Sequence, residues 1–596
     1  MKKKIDQFYS LEDLLNSRLS QHIDILINVS FNKIGDNGAQ SLGFCLGQCT
    51  NLSTLTLQTS HNLISMQGAQ ELGFGIAKCI NLSNLKINLH KNPIGTQGIS
   101  NLVSCLAKCK QLSTLTLQLD QNSINDDGAS SLASGLAQCV NLSILTLDLC
   151  NNQISAQGAS SLGSVLPQLT NLSSLTLYLY NNVIDDGGAS GLGFGLAQCT
   201  KLSTLTLDLS GKNLIGAKGA SGLGQGLAQC YNLSILKLQL NNNSILDNGT
   251  SSLSYGIANC TNLQTLTLDL SCSNQISEQG QLDLGIGLAK CANLSNLVLN
   301  LSNNLIDDKG VSGLGSGLAQ CANLSTLQLN LNQNSIGEQG ASDLGFSLGK
   351  CVNLSTLILD LIGSDLGSGF NLSPNLFSQK QNFSGKNLIG SNGASNLGSG
   401  LAKCTKLSNL TLNLHNNKIQ NEGAFGLGFG LAQCPNLSTL TLNLHKNSIG
   451  PYEPQFFNSE LSQCQNLQDL KIYLYYNSLG DEGVKILGYC LSKCTNLSVL
   501  SLHLQANSIS AQGALRLGQS LSLCPKLSNL DLNLSSNLIM EEGVSYLCLN
   551  LSQCNSVLIL ILSLNDVYSY DQEADQSFRK LILKMKSLVK SIIDCS

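Results

Sequence analysis

CKQLSTLTLQLDQNSINDDGASSLASGLAQC, residues 109–139, is the unit from which almost the whole chain is built. It opens and closes on cysteines 30 residues apart, and the spacing recurs at Cys49, Cys79, Cys109, Cys139, Leu169 and Cys199. With single-residue insertions it continues through Cys230, Cys260, Cys291, Cys321 and Cys351. It resumes at Cys404 and runs through Cys434, Cys464, Cys494 and Cys524 to Cys554. A fixed period of this size marks a solenoid, in which each unit covers its neighbour's core. Within the unit, Leu115, Leu117 and Leu119 alternate with Thr116 and Gln118, the period of a strand with one buried face. The period then changes: Ala129, Leu132, Leu136 and Cys139 fall on one stripe of a helix. Each unit therefore predicts one strand and one antiparallel helix.

Leu112, Leu115, Leu117, Asn122 and Ile124 resemble the leucine-rich repeat, in particular its ribonuclease-inhibitor-like subtype, whose pattern LxxLxLxxNxL precedes a helix. Leu119 departs from that pattern by adding one more in-out pair. The addition lengthens each strand by about 7 Å. It also accounts for a period of 30, where the subtype has about 28. The resemblance spans residues 23–565 and implies an α/β horseshoe solenoid, with a parallel sheet on the concave face and helices on the convex face. Strands counted from Ile25 to Leu560 and Leu562 number 18. Asn92, Asn122, Asn152, Asn182, Asn243, Asn304, Asn334, Asn417, Asn447, Asn477, Asn507 and Asn537 align at the strand exit, where their amides are expected to form a ladder with backbone groups.

An array must be closed at both ends. Residues 1–22, with Leu11, Leu14, Leu15 and Leu19 at helical spacing, predict an N-terminal helical cap. Residues 566–596 predict a C-terminal amphipathic helical cap. There Phe578, Leu581, Ile582, Met585, Leu588, Val589 and Ile592 share one face, and Arg579, Lys580, Lys584, Lys586 and Lys590 lie largely outside it. Cys351 and Cys404 stand 53 residues apart, 23 more than the period, which marks an insert over 363–385 at the strand-to-helix edge. Its Phe370, Phe377 and Phe383 fit either a decorated loop or decayed repeat, or the aromatic anchors of a partner-binding loop. Gly450-Pro451-Tyr452-Glu453-Pro454 resets one helix start, with Phe456 and Phe457 nearby.

The net charge of −4 with 12% charged residues gives no field for nucleic acid or acidic membranes. Asp126 and Asp127, Asp185 and Asp186, Asp307 and Asp308, and Glu541 and Glu542 sit where they complement helix dipoles. Of the 23 cysteines, 16 occupy the one repeat position, which predicts small buried thiols and neither disulfides nor zinc. Asn51, Asn81, Asn141, Asn171, Asn232, Asn293, Asn323, Asn353, Asn436 and Asn496 each begin Asn-Leu-Ser beside a leucine that must be buried, where a glycan would disrupt the stack. No apolar signal segment follows Lys2, Lys3 and Lys4, and no apolar run is long enough to span a membrane. A cytoplasmic location is expected, with the ciliary axoneme as the alternative.

Outward strand positions are the candidate working surface. They offer Asp148, Tyr178, Tyr180, Asp208, Asp269 and Asp360, then His415, His445, Tyr473, Tyr475 and His503. His415, His445 and Tyr475 occupy one position on successive strands, so their rings are expected to form a row. Catalytic, cofactor and metal residues are not found. No GxxxxGK[ST], HExxH or nucleophile elbow stands outside the repeats, and Gly193-Phe194-Gly195 belongs to a repeat helix. The expectation is a non-catalytic scaffold for a partner protein. Its alternative is an architectural subunit of a large assembly such as the axoneme, toward which the uniform repeats, similar to those of ciliate leucine-rich-repeat families, incline. The resemblance also raises a ribonuclease-inhibitor-type or GTPase-regulating binder; the sparse acids on the sheet and the basic tail count against these.

Overall fold

The computed structural model describes residues 5–363, 386–451, 464–566, 579–583, 585 and 587–594. The chain divides into two compact units, Met1–Leu294 and Ser295–Ser596. Among the described residues the first unit holds ten strands, from Asp6–Phe8 and Asp24–Asn28 to Thr265–Asp269, each parallel to the next in sequence. The second unit likewise holds ten, from Asn296–Asn300 to Lys590–Asp594. Eighteen of these are the strands counted from the leucine pattern, Asp24–Asn28 through Ile559–Ser563. The other two are edge strands at the ends.

In the unit read above, Leu115, Leu117 and Leu119 are fully buried while Thr114, Thr116 and Gln118 line the opposite face of strand Thr114–Gln118. Pairing runs past the strand as the extra leucine predicts: Leu119 N–H donates to Asp148 O at 2.7 Å and Gln121 N–H to Cys150 O at 3.1 Å. Gln121 then takes a φ of 55° and turns Asn122 inward. The asparagine ladder follows. Asn92 Oδ1 accepts from Asn62 N–H at 3.1 Å and Ile64 N–H at 2.9 Å. Its Nδ2 donates to Thr59 O at 2.9 Å and Leu89 O at 3.0 Å. A buried amide so satisfied ties adjacent repeats with both of its polar atoms. Asn62, Asn213, Asn274 and Asn387 also belong to the ladder. Threonine stands where the pattern has its last strand leucine before Asn62, an extra residue precedes Asn213 and Asn274, and the insert precedes Asn387.

The returning helix Asp126–Leu136 buries Ala129, Leu132 and Leu136. Helices meet through glycine. A Cβ at Gly195 would strike the carbonyl of Gly163 in the preceding helix, and one at Gly193 the carbonyl of Gly222 in the following one. Among the described residues most repeat helices are followed by the column cysteine, and one by Leu169. Cys230 Sγ donates to Leu196 O of the previous repeat at 3.3 Å and to Gly226 O of its own at 3.5 Å. The described cysteines are free, and burial pushes the Cys230 thiol up to about 12.

The paired acids divide their labour. Asp185 and Asp307 cap their own helices, as expected, through Gly187 at 2.9 Å and Gly310 at 3.0 Å. Asp126, Asp186 and Asp308 instead reach the next repeat, accepting from Ser155 N–H at 2.7 Å, Gly216 N–H at 2.7 Å and Gly337 N–H at 2.6 Å. At the opposite end of the strands the Asn-Leu-Ser asparagines form a second ladder: Asn141 Nδ2 donates to Lys110 O at 2.8 Å and Asn232 Nδ2 to Thr200 O at 2.7 Å. These two side chains are exposed; only the leucines that follow, Leu142 and Leu233, are buried.

Two expectations are amended. The N-terminal cap is not helical alone: strand Asp6–Phe8 pairs with Ile25–Ile27 before helix Leu11–Leu15. The C-terminal cap is not one helix either. Residues 579–582 are helical, but Lys590–Asp594 forms a strand on Ile559–Ser563, because the open backbone edge of that strand and the branched Ile592 and Ile593 favour pairing. Across the insert, Thr356–Asp360 and Asn409–Asn413 pair directly in register; residues 364–385 lie outside the described residues. Phe370, Phe377, Phe383, Phe456 and Phe457 lie outside the described residues.

Candidate binding surface

Parallel register turns each outward strand position into a column. In the first unit Gln118, Asp148, Tyr178, Asp208, Gln239 and Asp269 stand in one column on consecutive strands. Asp148, Tyr178 and Asp208 are thus brought together, with Tyr178 between two carboxylates. Burial, then Asp148 and Asp208, push the Tyr178 phenol above its usual range. Burial also raises the Asp208 carboxyl, against hydrogen bonds from Ser210 N–H at 3.0 Å and its hydroxyl at 2.5 Å. Asp269 is 7% exposed and accepts from Ser271 N–H at 3.0 Å and its hydroxyl at 2.6 Å, so it serves the turn and not the surface.

The next column holds Tyr180 and, beside it, a group not singled out from sequence. His90 Nδ1 lies 2.5 Å from Asp120 Oδ2, His61 meets His90 edge-on at 5.0 Å, and Phe31 stacks on His61 at 4.3 Å. The thirty-residue spacing of Phe31 and His61 was the available signal. Cys150 follows Asp120 one strand later, which assembles imidazole, carboxylate and thiol. Their order is wrong for nucleophilic catalysis, since the carboxylate stands between the other two. Histidine and thiol are two strands apart, about 9.6 Å. Burial and Asp148 moreover push the Cys150 thiol far up.

In the second unit the expected row of rings is present. His415 stacks on His445 at 4.2 Å and 15°, and His445 on Tyr475 at 3.6 Å and 27°. Its accessibility is not as expected: His415 is 4% exposed and His445 1%, so the imidazoles form a floor and not a contact surface. Asp360 is likewise 7% exposed, and burial pushes its carboxyl up to about 6. What the row presents is its end. Tyr475 is half-buried, and Tyr476, φ 52°, is 59% exposed with Lys446 Nζ 5.7 Å from its ring. Tyr473 tilts against His503 at 4.8 Å, and His503 Nε2 lies 3.3 Å from Asp531 Oδ2, which also accepts from Ser501 Oγ at 2.9 Å. The His503 hydrogen bond holds Asp531 below the usual carboxylate range. Here too the carboxylate is central, with serine and histidine both bound to it. Tyr476 and Asp531 lie outside the two columns that supply the sequence-based candidates: Tyr476 follows the second, and Asp531 stands two residues before the first.

A parallel strand, an inward asparagine ladder and a returning helix repeat throughout each unit. The fold is a leucine-rich-repeat solenoid. No family model and no curated protein matches the chain. Among solved structures the solenoid is similar to that titled "Crystal structure of TLR13-ssRNA13 complex", at 17% identity and a TM-score of 0.39, over 98% of this chain and 75% of that one. Among the described residues no cluster of three or more His, Cys, Asp or Glu could hold a metal, and no helix is long and apolar enough to cross a membrane.

Proposed function

We propose that the protein is a non-catalytic scaffold that holds a partner protein against its sheet faces and strand exits, with the tyrosine corner of the second unit as the main contact. The exposed Tyr476 beside Tyr475, whose ring is backed by buried imidazoles, carries this reading. Tyrosines fixed in this way supply amphipathic contact area at little cost in side-chain entropy. Lys471 and Asp469, 3.8 Å apart and partly exposed, add a polar rim. In the first unit, Asp148, Tyr178, Tyr180 and Asp208 extend the same kind of surface.

A protein partner is favoured over nucleic acid. The stacked rings of the row use their faces on one another, which leaves edges and not a platform for bases, and the net charge is −4. Free buried thiols favour a reducing cytoplasm. A second reading, the architectural subunit of a large assembly such as the axoneme, draws on the helix side. There Phe346, Phe429 and Tyr489, at one repeat position, are 56%, 48% and 56% exposed.

Affinity purification of the full chain with mass spectrometry distinguishes them. Tyr475→Ala with Tyr476→Ala is expected to remove the co-purifying protein, while Phe346→Ala with Phe429→Ala retains it. The opposite pattern favours the architectural reading, and retained binding of single-stranded RNA by the purified chain would overturn the protein-only partner.

A further inference from the structure

The inward helix position that begins each stripe is occupied by Ala129, Ala159, Ala189 and Ala220 in the middle of the first unit, all fully buried. Thr250 follows at the same position. It is polar and buried, yet its hydroxyl donates to Leu246 O at 2.9 Å, the return bond open to a threonine in a helix. Next comes Gln281 in helix Glu278–Ala289. It is 0% exposed, and neither its Oε1 nor its Nε2 has a hydrogen-bond partner. A primary amide carries two donors and two acceptor sites; Gln320 spends one donor on the carbonyl of Ser316 one turn back, at 3.3 Å, whereas Gln281 makes no such bond. Buried amides without partners are rare in native proteins and lower the stability of the element that carries them.

The consequence is particular to a repeat array. Stability there is a sum of repeat and neighbour contributions, so a local penalty is not diluted over the whole molecule but weakens the repeat in which it sits. The leucines that continue its stripe are fully buried as elsewhere, Leu284 and Leu288 at 0%, so packing is not what sets this helix apart. We propose that helix Glu278–Ala289 is a built-in opening point of the first unit: the buried, unpartnered amide of Gln281 makes this helix detach from the layer before its neighbours, which lets Gln281 reach water without unfolding the rest.

Hydrogen–deuterium exchange of the full chain, read by mass spectrometry, tests it. Amides of Glu278–Ala289 are expected to exchange roughly 10- to 100-fold faster than those of Asp186–Leu196 and Ala217–Leu227, the factor that one unmet buried amide commands. Gln281→Ala should bring the helix to its neighbours' rate, and Gln281→Thr, which restores the arrangement of Thr250, should do the same if alanine leaves too large a void. The reciprocal Ala220→Gln should speed exchange in Ala217–Leu227 by a similar factor. Equal protection of the three helices in the unaltered chain overturns the proposal. So does faster exchange of Glu278–Ala289 that neither substitution at Gln281 slows.

Discussion

Single side chains in this protein are valued by what they join. Asp360 shows the cost of joining little. Its carboxyl is pushed up to about 6 by burial, with only Asn413 opposing the shift. An unfolded aspartate has a value of about 3.9, so the folded chain holds this proton more tightly than the unfolded chain does. The sign follows: the residue costs nothing at pH 4 and becomes destabilising as pH rises through 6, by up to roughly 3 kcal/mol. Asp360→Asn is therefore expected to raise the melting temperature at pH 8 and to leave it unchanged at pH 4. An equal shift at both pH values would show that ionisation is not the cause. The same residue shows a limit of sequence reading. Its place on the outward side of a strand was legible from the alternation of Leu357, Leu359 and Leu361. Its concealment, like that of His415 and His445, was not, because cover comes from neighbours that the repeat pattern leaves unspecified.

Elements here are held at backbone distance. Gly163, Gly193 and Gly195 permit helices to touch carbonyl to Cα, a spacing that any Cβ would prevent. Gly195→Ala gains about 1 kcal/mol of helix propensity but forces apart two packed helices, which costs up to roughly 3 kcal/mol. A lower urea midpoint with an unchanged slope is expected; a higher midpoint would mean that the layer can relax. Strand and helix assignments were legible because leucine alternation and the i, i+3, i+7 stripe are unambiguous over many copies. The end strands Asp6–Phe8 and Lys590–Asp594 were not, since neither repeats anything. They form because the terminal strands of each unit would otherwise leave backbone donors and acceptors unpaired, a tertiary demand that outweighs the helical spacing of Val589 and Ile592. The contacts of Asp126 and Asp186 with the following helix were not legible either, as their partners lie about 30 residues away in the chain.

Across the whole molecule the cysteine column reports on folding. Burial places Cys109, Cys260, Cys434 and Cys494 at about 11 to 12, so few of these are thiolates at pH 8. A thiol-reactive dye is expected to label the native chain slowly, beginning among the described cysteines at the partly exposed Cys272, and the denatured chain at once. Rapid native labelling along the column would contradict the packing.

The aspartates that reach across to a neighbour have one further consequence. Asp126 accepts from Ser155, Asp186 from Gly216 and Asp247 from Ser277, while Ala156 and Ala217 in the helices that supply the N–H groups have no carboxylate of their own. Over residues 126–277 accepting and donating helices therefore alternate, whereas Asp36 and Asp481 stand outside this rhythm. Loss of a single block from that stretch would set two accepting or two donating helices side by side.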